Sequence, residues 1–207
     1  MSSGDYTYIW QHPDWPQWRY DLVALAQPLA NVSRAQGLLV GRLTDVGMAL
    51  RDQASLSALT EDVLKTSEIE GEQLNAQSVR SSIARRLGVD IGALAPVDRH
   101  VDGVVDMVLD ATAQSHAPLT AQRLFGWHAA LFPTGYSGLS PISVGAWRDD
   151  ASGPMQVVSG PMGDPDRQCV HFQAPAAASL PLEMERFLAW ANGTTAEPPL
   201  IKAALAH

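Results

Sequence analysis

The sequence predicts a mainly α-helical protein that carries one β-hairpin. Apolar residues recur at intervals of three and four over several long stretches, which is the period of an amphipathic helix. The period changes to that of a strand in two short stretches, 155–159 and 169–173, with turn-forming residues between them at 163–166. The chain has 207 residues, of which 46% are hydrophobic and 17% charged, so it can fold around a sizeable core.

The elements follow in order from local signals. Residues 6–20 are rich in aromatics and interrupted by Pro13 and Pro16, which predicts an irregular arm. Asn75 and Thr120 are typical N-caps, and Gly88 is typical of the position after a helix. Glycine and proline predict a loop over 133–147. Apolar spacing predicts helices over 31–51, 55–70, 76–87, 97–108, 120–132, 182–192 and 199–207.

Composition excludes several classes of function. The formal charge of −8 and the absence of a basic run argue against a nucleic-acid partner, so the aromatic arm is expected to pack rather than to stack on bases. No run of about 18 apolar residues exists, which excludes a membrane-spanning helix, and the N-terminus shows no signal-peptide pattern. Cys169 is the single cysteine, which is consistent with a reducing, cytoplasmic compartment.

One helix end carries an unusual acidic residue. Glu70 falls on the same helical stripe as Leu59, Val63 and Thr66, so its carboxylate is expected to point towards the core. A carboxylate there needs a cationic or hydrogen-bonding partner. The alternative is a last-turn glutamate that reaches solvent, with Gly71 ending the helix.

His128, His171 and the hairpin are the remaining candidates for catalysis or binding. His128 lies on an apolar helix face, where a lone histidine is more often a hydrogen-bonded core residue than a ligand or base. A hydrolase built on His128 or His171 lacks any nucleophile–base–orienter spacing, and the histidines show no metal-ligand spacing. The hairpin side chains are expected to alternate between core and solvent, and its open edge could add a strand from another chain.

Several stretches resemble the Fic (filamentation-induced-by-cAMP) family, in the family's order. Thr66, Glu70 and Gly71 match its inhibitory motif, Ser/Thr-x-x-x-Glu-Gly. Residues 8–16 resemble the start of the domain that precedes the Fic core in bacterial members, and 145–148 resemble the Gly-x-aromatic-Arg step before its flap. Residues 200–207 resemble the helix that leads into the catalytic loop. The target-docking flap falls on Val157, Val158, Ser159, Gly160, Val170, His171 and Phe172.

The resemblance implies an activity and its regulation. Fic proteins transfer AMP from ATP to a serine, threonine or tyrosine hydroxyl of a target protein, with Mg²⁺. In the family the inhibitory glutamate, here Glu70, pairs with an arginine of the catalytic loop and blocks productive ATP binding. The flap would hold the target by main-chain pairing. The expected partner is therefore a target protein, and a second copy of the chain is left open.

The chain departs from the family in one large respect. The catalytic motif His-Pro-Phe-x-x-Gly-Asn-Gly-Arg does not occur in it, so no catalytic or metal-binding residue is assigned. The expectation is a bacterial Fic protein truncated before its active loop, inactive alone and without its own cofactor. Residues 1–95 would be a helical N-terminal domain with the inhibitory helix, and 96–207 an incomplete Fic core with the flap. The alternative is a non-catalytic regulatory or protein-binding helical module.

Overall fold

The predicted mainly helical fold is confirmed. A computed structural model describes residues 7–44, 47–151, 153–161 and 167–207. The helices of this part of the chain are α1 (Leu22–Thr44), α2 (Met48–Ile69), α3 (Ala76–Leu87), α4 (Arg99–Ala113), α5 (Ala121–Leu131), α6 (Leu180–Asn192) and α7 (Pro199–Ala206). The strands form two antiparallel pairs, β1 (Tyr136–Ser137) with β2 (Ser140–Pro141) and β3 (Gln156–Ser159) with β4 (Cys169–Gln173).

The chain divides into two compact units. Pro28–Ala146 forms the central unit, whereas Met1–Gln27 and Trp147–His207 form the terminal unit. The two units are defined by the contacts within the folded chain. The predicted domains 1–95 and 96–207 are a different division and stay a prediction. The helices on either side of the predicted boundary, α3 and α4, pack against each other within the central unit.

The helix predicted over 31–51 is wrong in its limits. Residues 31–44 belong to α1, which begins at Leu22, and residues 48–51 belong to α2, which begins at Met48. Gly47 is the N-cap of α2 and has extended backbone, with φ −61° and ψ 156°. The apolar spacing continues from Val32 to Leu50 across this point, so periodicity alone does not show the break. Pro28 lies inside α1, where the sequence predicted no helix.

The core of the central unit is aliphatic. Helix α3 lies between α2 and α4, and its N-cap Asn75 accepts hydrogen bonds from the backbone N–H groups of Gln77 and Ser78, as predicted. Gly88 ends α3 in the left-handed conformation, with φ +68°. Thr120 caps α5 as predicted, by accepting from the Arg123 N–H. The cluster of buried side chains consists of Leu56, Val63, Val79, Ile83, Ala84, Val101, Val104 and Val105.

A polar network joins α3 to α4 beside this core. The Arg86 guanidinium donates to Asp102 Oδ1 at 2.8 Å and to Asp106 Oδ1 at 2.5 Å, and the Ser82 hydroxyl donates to Asp102 at 2.5 Å. Burial alone raises the pKa of Asp102, but hydrogen bonds from Ser82 and Arg86 outweigh it and lower that pKa overall. The network therefore satisfies the polar groups at the edge of the apolar cluster.

Helices α4 and α5 approach closely at a glycine. A Cβ placed on Gly103 would lie 1.9 Å from the carbonyl oxygen of Ala130. Farther along the pair, Arg123 and Trp127 of α5 both donate to Asp110 Oδ2 of α4 at 2.7 Å. The hydrogen bond from Arg123 lowers the pKa of Asp110 most, and the hydrogen bond from Trp127 lowers it further. Position 103 must therefore have no side chain for α5 to reach these partners.

The loop predicted over 133–147 contains a small ladder that the sequence analysis missed. Tyr136 pairs with Pro141 and Ser137 with Ser140, which makes β1 and β2 two residues each. Gly138, with φ +59°, lies in the turn between them. The His128 side chain, half-buried on α5, accepts a hydrogen bond from the Gly145 N–H at 3.3 Å and packs on Phe132.

The terminal unit combines the arm, the larger hairpin and the last two helices. The arm is irregular, as predicted, with one 3-10 turn at Ile9–Gln11. Helices α6 and α7 are also present as predicted. Lys202 of α7 donates to the carbonyls of Ala191 and Gly193 at the end of α6, at 2.7 and 2.9 Å. This lysine supplies partners for carbonyl groups that a helix C-terminus leaves unpaired.

We predict that Gly103→Ala destabilises the protein, whereas Gly126→Ala on the neighbouring helix does not. The methyl group at 103 meets backbone and forces α4 and α5 apart, at a cost of about 1–3 kcal/mol or more. Gly126 has no atom within 4 Å of its Cβ position, so alanine there is expected to stabilise by about 0.5–1 kcal/mol. Urea unfolding of both variants measures the two effects, and equal stabilities would contradict the close approach.

Candidate functional site

The Thr66–Gly71 motif lies at the C-terminus of α2, which ends in a well-formed cap. Glu70 is the C-cap, and Gly71 follows in the left-handed conformation, with φ +83°. The Gly71 N–H donates to the Glu68 carbonyl at 3.0 Å, and the Glu72 N–H donates to the Ser67 carbonyl at 2.8 Å. These two bonds are those of a Schellman motif. The prediction that Gly71 ends the helix is confirmed, and the glycine has a structural reason to be there.

The expectation that Glu70 points into the core is wrong in this structure. Glu70 and Thr66 are both exposed, and Ile69 between them is 82% exposed. The buried face of α2 ends instead at Ser67, which is 7% exposed. Glu70 has the predicted angular position on the helix, but it lies beyond the last turn that the core covers. Its carboxylate forms no hydrogen bond or ion pair with another described residue.

A neighbouring glutamate behaves differently. Glu68, two residues before Glu70, forms an ion pair with Lys65 at 2.7 Å. Both side chains are well exposed, so this pair contributes little to stability. Of the two glutamates at this helix end, Glu70 is therefore the one whose carboxylate is not already engaged.

The predicted hairpin is present with an irregular register. Val157 pairs with Phe172 and Val158 with Val170, so His171 is an extra residue on β4. Such a bulge bends the strand and increases its twist. The predicted turn at 163–166 lies outside the described residues.

The valines of the hairpin do not alternate between core and solvent as predicted. Val157 and Val158 are adjacent, yet they are 50% and 43% exposed, and Val170 is 42% exposed. Phe172 is half-buried because the Tyr8 ring packs edge-on against it at 5.5 Å. The hairpin is thus covered at the Phe172 end and open at the other.

The arm also covers one strand edge. The Trp10 indole N–H donates to the Gln173 carbonyl at 2.7 Å, at the end of β4. The described contacts of the arm include these two with the hairpin, made by Tyr8 and Trp10. Trp10 is a residue of the site that sequence reasoning missed, because nothing in the local pattern indicates a partner 163 positions away.

Strand β3 directs some of its backbone groups away from β4. The Met155 carbonyl accepts from the Ala174 N–H at 2.9 Å, so the backbone N–H and C=O groups of Met155 are directed towards β4. Successive residues of a strand direct their backbone groups to opposite edges. The backbone groups of Val157 are therefore also directed towards β4. Those of Val158, its N–H and C=O, are directed away from β4. This outer edge of β3 has the polarity that an added strand requires.

Two further contacts fix the hairpin. Gly160 follows β3 with φ +116°, and a Cβ there would lie 2.4 Å from the Arg167 carbonyl oxygen, so only glycine fits.

Ser159 Oγ and His171 Nε2 are 2.6 Å apart on the exposed part of the ladder. Among the described residues no carboxylate orients this histidine, so the pair has the geometry of a cross-strand hydrogen bond rather than that of a catalytic dyad.

Arg148, the last residue of the Gly-x-aromatic-Arg stretch, contacts the segment that follows β4. Its guanidinium donates to the Pro175 carbonyl, just after β4, and to Asp150 Oδ1 at 2.5 Å. The second carboxylate oxygen of Asp150 accepts from the Ala177 N–H at 2.6 Å. The arginine therefore positions the segment between β4 and α6.

The described residues do not offer a metal site. In the ranges that the structure describes, no group of three or more histidine, cysteine, aspartate or glutamate side chains could hold an ion. The Mg²⁺ implied by the Fic resemblance therefore has no such group of ligands among the described residues. None of the described helices is long and apolar enough to cross a membrane.

Comparison with known proteins adds one match. A family model described as a domain of unknown function (DUF4172) matches residues 8–89. The matched part includes the arm, α1, α2, α3 and the motif at the end of α2, but not the hairpin. That description assigns no activity, so the Fic resemblance stays a prediction. No curated protein sequence matches the chain.

We predict that Gly71→Ala destabilises the protein by about 1–2 kcal/mol, because a Cβ in the left-handed conformation is strained. Space is not the cause, since no atom lies within 4 Å of the Cβ position. Gly71→Asn, which tolerates this conformation better, is the matched control and is expected to lose less. Thermal unfolding compares them; an alanine variant as stable as wild type would contradict the capping role.

We predict that proline distinguishes the two edges of β3. Val157→Pro removes an N–H that faces β4 and should destabilise the hairpin by about 1 kcal/mol or more. Val158→Pro removes an N–H that faces away, so the hairpin should remain. Hydrogen exchange of the β4 amides measures both. Equal loss of protection in the two variants would show that the assignment of the edges is wrong.

Proposed function

We propose that this chain is the autoinhibitory and target-docking part of a protein adenylyltransferase. In this proposal Glu70, supported by Thr66 and Gly71, inhibits the transfer of AMP from ATP to a hydroxyl of a target protein. The hairpin binds that target. The catalytic residues belong to the family's His-Pro-Phe motif, which is absent from these 207 residues. The chain would act in a reducing, cytoplasmic compartment, as its single cysteine suggests.

The observation that carries the proposal is the exposed, unengaged carboxylate of Glu70 on a capped helix end. The two hydrogen bonds of the Schellman motif restrict the backbone at Glu70, so its carboxylate is presented from a defined position. A cation that approaches this helix end meets Glu70 without first displacing a partner. An exposed carboxylate with these properties can pair with an arginine supplied from elsewhere.

The inhibitory step is a competition for that arginine. Arginine binds carboxylates and phosphates with the same planar, bidentate geometry. If Glu70 occupies the guanidinium, the γ-phosphate of ATP loses a charge-assisted partner. Such a bond contributes about 1.5–3 kcal/mol, which corresponds to roughly a 10- to 150-fold change in an equilibrium.

The docking step uses the hairpin. The outer edge of β3, at Val158, offers a backbone donor and acceptor, while the Trp10 indole occupies the end of the β4 edge. An extended target segment is therefore expected to pair with β3. Main-chain pairing would fix the register of the target hydroxyl, which is a positioning effect.

A non-catalytic protein-binding module is the second candidate. The exposure of Val157, Val158 and Val170 on both faces of the hairpin favours it, because exposed apolar side chains beside a free edge suit a protein partner whether or not AMP is transferred. The two candidates differ in the role of Glu70, which matters for inhibition and not for docking.

We predict that Glu70→Gly raises AMP transfer in a polypeptide that contains both this chain and the Fic catalytic motif. Removing the carboxylate frees the arginine for the γ-phosphate, so transfer should rise about 10-fold or more. Glu68→Gly is the matched control, because it removes a glutamate from the same helix end and, within α2, loses at least as much helix propensity as the change at the C-cap. Labelled ATP measures the rate of transfer to protein.

Transfer that is equal or lower in Glu70→Gly would contradict inhibition by Glu70. An equal rise in Glu68→Gly would attribute the effect to the loss of helix structure. In either case the protein-binding module becomes the better description. The 207-residue chain alone, which lacks the motif, is the negative control for transfer.

A further inference from the structure

A cavity in the central unit is lined by α2, α3 and the loop over 88–96 that follows α3. Its volume is about 420 Å³, which is within the range of pockets that hold small molecules. Helix α2 contributes Gln53, and helix α3 contributes Gln77, Arg80 and Ser81, which lie at i, i+3 and i+4 on one helix face. The cavity is therefore built from several elements of one compact unit.

Hydrogen bonds hold the loop against α3. The Ser81 hydroxyl, on a residue that is only 2% exposed, accepts from the Ala95 N–H at 2.9 Å. The Ser78 hydroxyl donates to the Pro96 carbonyl at 2.9 Å, and the Ile91 side chain packs against the aliphatic core. The loop is thus fixed at several points, and a ligand that enters the cavity does not have to order its surroundings.

Arg80 is the one cation among the described residues that line the cavity, and its charge is not paired. No described residue forms a hydrogen bond or an ion pair with its guanidinium, although the residue is partly buried. Arg86, on the same helix, shows the contrast, because it binds Asp102 and Asp106. A guanidinium has five N–H donors, so Arg80 can bind an anion that enters the cavity without first losing a protein partner.

Asp90 brings a negative charge to the same cavity. Its Oδ1 atom accepts from the Gly92 N–H at 2.8 Å, which forms a turn of the loop, and its second carboxylate oxygen has no described partner. The Asp90 carboxylate lies beyond ion-pair distance of Arg80. The cavity therefore presents an unpaired cation and a partly unpaired anion at separate positions.

The two charges limit the chemistry of a ligand. A ligand that contacts both needs an anionic group for Arg80 and a positively charged N–H donor for Asp90. The amides of Gln53 and Gln77 can donate and accept, so they suit polar groups of either kind. None of the described lining residues is aromatic, which leaves a nucleobase without a stacking partner. One arginine also leaves most of the charge of a polyphosphate unpaired.

We propose that this cavity binds a small zwitterion of the amino-acid class, whose carboxylate pairs with Arg80 and whose ammonium group pairs with Asp90. The site does not depend on the proposed inhibitory function, and it uses neither Glu70 nor the hairpin. Its ligand contacts α2, α3 and the loop together, so binding stabilises the folded central unit.

The experiment screens the standard L-amino acids one at a time against the 207-residue chain by thermal unfolding, each at about 10 mM, which is roughly tenfold above a Kd of about 1 mM. At least one is expected to raise the Tm by about 3 °C or more. Titration calorimetry then gives its Kd. Two derivatives of that amino acid, its carboxamide and its N-acetyl form, each lack one charge and should bind about fivefold more weakly or worse.

Variants assign the two charges to residues. Arg80→Gln should weaken binding about tenfold or more, while the Tm without ligand stays close to that of wild type, because this arginine has no described partner to lose. Asp90→Asn keeps an oxygen for the Gly92 N–H and should weaken binding about fivefold. Arg85→Gln is the matched control, because it removes an exposed arginine of α3 that does not line the cavity. Its Kd should change by about twofold or less.

Several results would overturn the proposal. They are a screen in which no amino acid raises the Tm, a carboxamide that binds as tightly as the acid, and an equal loss of affinity in Arg80→Gln and Arg85→Gln. Acetate or inorganic phosphate that binds as tightly as the amino acid would define a simple anion site and contradict the zwitterion. Because no ATP or target protein is used, these results are independent of the test of Glu70.

Discussion

Burial of the aliphatic side chains that α2, α3 and α4 contribute to one cluster is the constraint on which the central unit depends. Its members are fully or almost fully buried, and the polar network of Arg86 borders them without an unpaired charge. This cluster also determines where the candidate site begins. Coverage of α2 stops at Ser67, so the last residues of the helix have the direction of a core face without a core to cover them.

Helix ends make the site, because they combine exposed side chains with backbone groups that need partners. The end of α2 satisfies this need with a left-handed glycine and two backbone hydrogen bonds. The Glu72 N–H is part of this cap, and the Glu72 carboxylate lies 2.7 Å from Nε2 of His100. The cap restricts the backbone that presents Glu70, while its carboxylate has no described partner.

The hairpin shows a related division between anchored and open parts. The arm covers the end with Phe172 and Gln173, through an aromatic contact and an indole hydrogen bond. The bulge at His171 and the glycine at 160 shape the remainder, where three valines are exposed. An isolated two-stranded ladder is only marginally stable in water, so the contacts of the arm at one end help to hold the open end in place.

The sequence by itself determined the mainly helical class, most of the helices, their caps at Asn75, Thr120 and Gly71, and the larger hairpin, because each depends on short-range periodicity or turn chemistry. It did not determine the break at Gly47, since apolar spacing continues across it, or the two-residue ladder of β1 and β2. Tertiary structure alone decided that Glu70 is exposed, that Trp10 covers the β4 edge and that Glu72 meets His100. The physical reason is that burial and pairing depend on which distant segments arrive beside a residue, and local patterns do not contain that information.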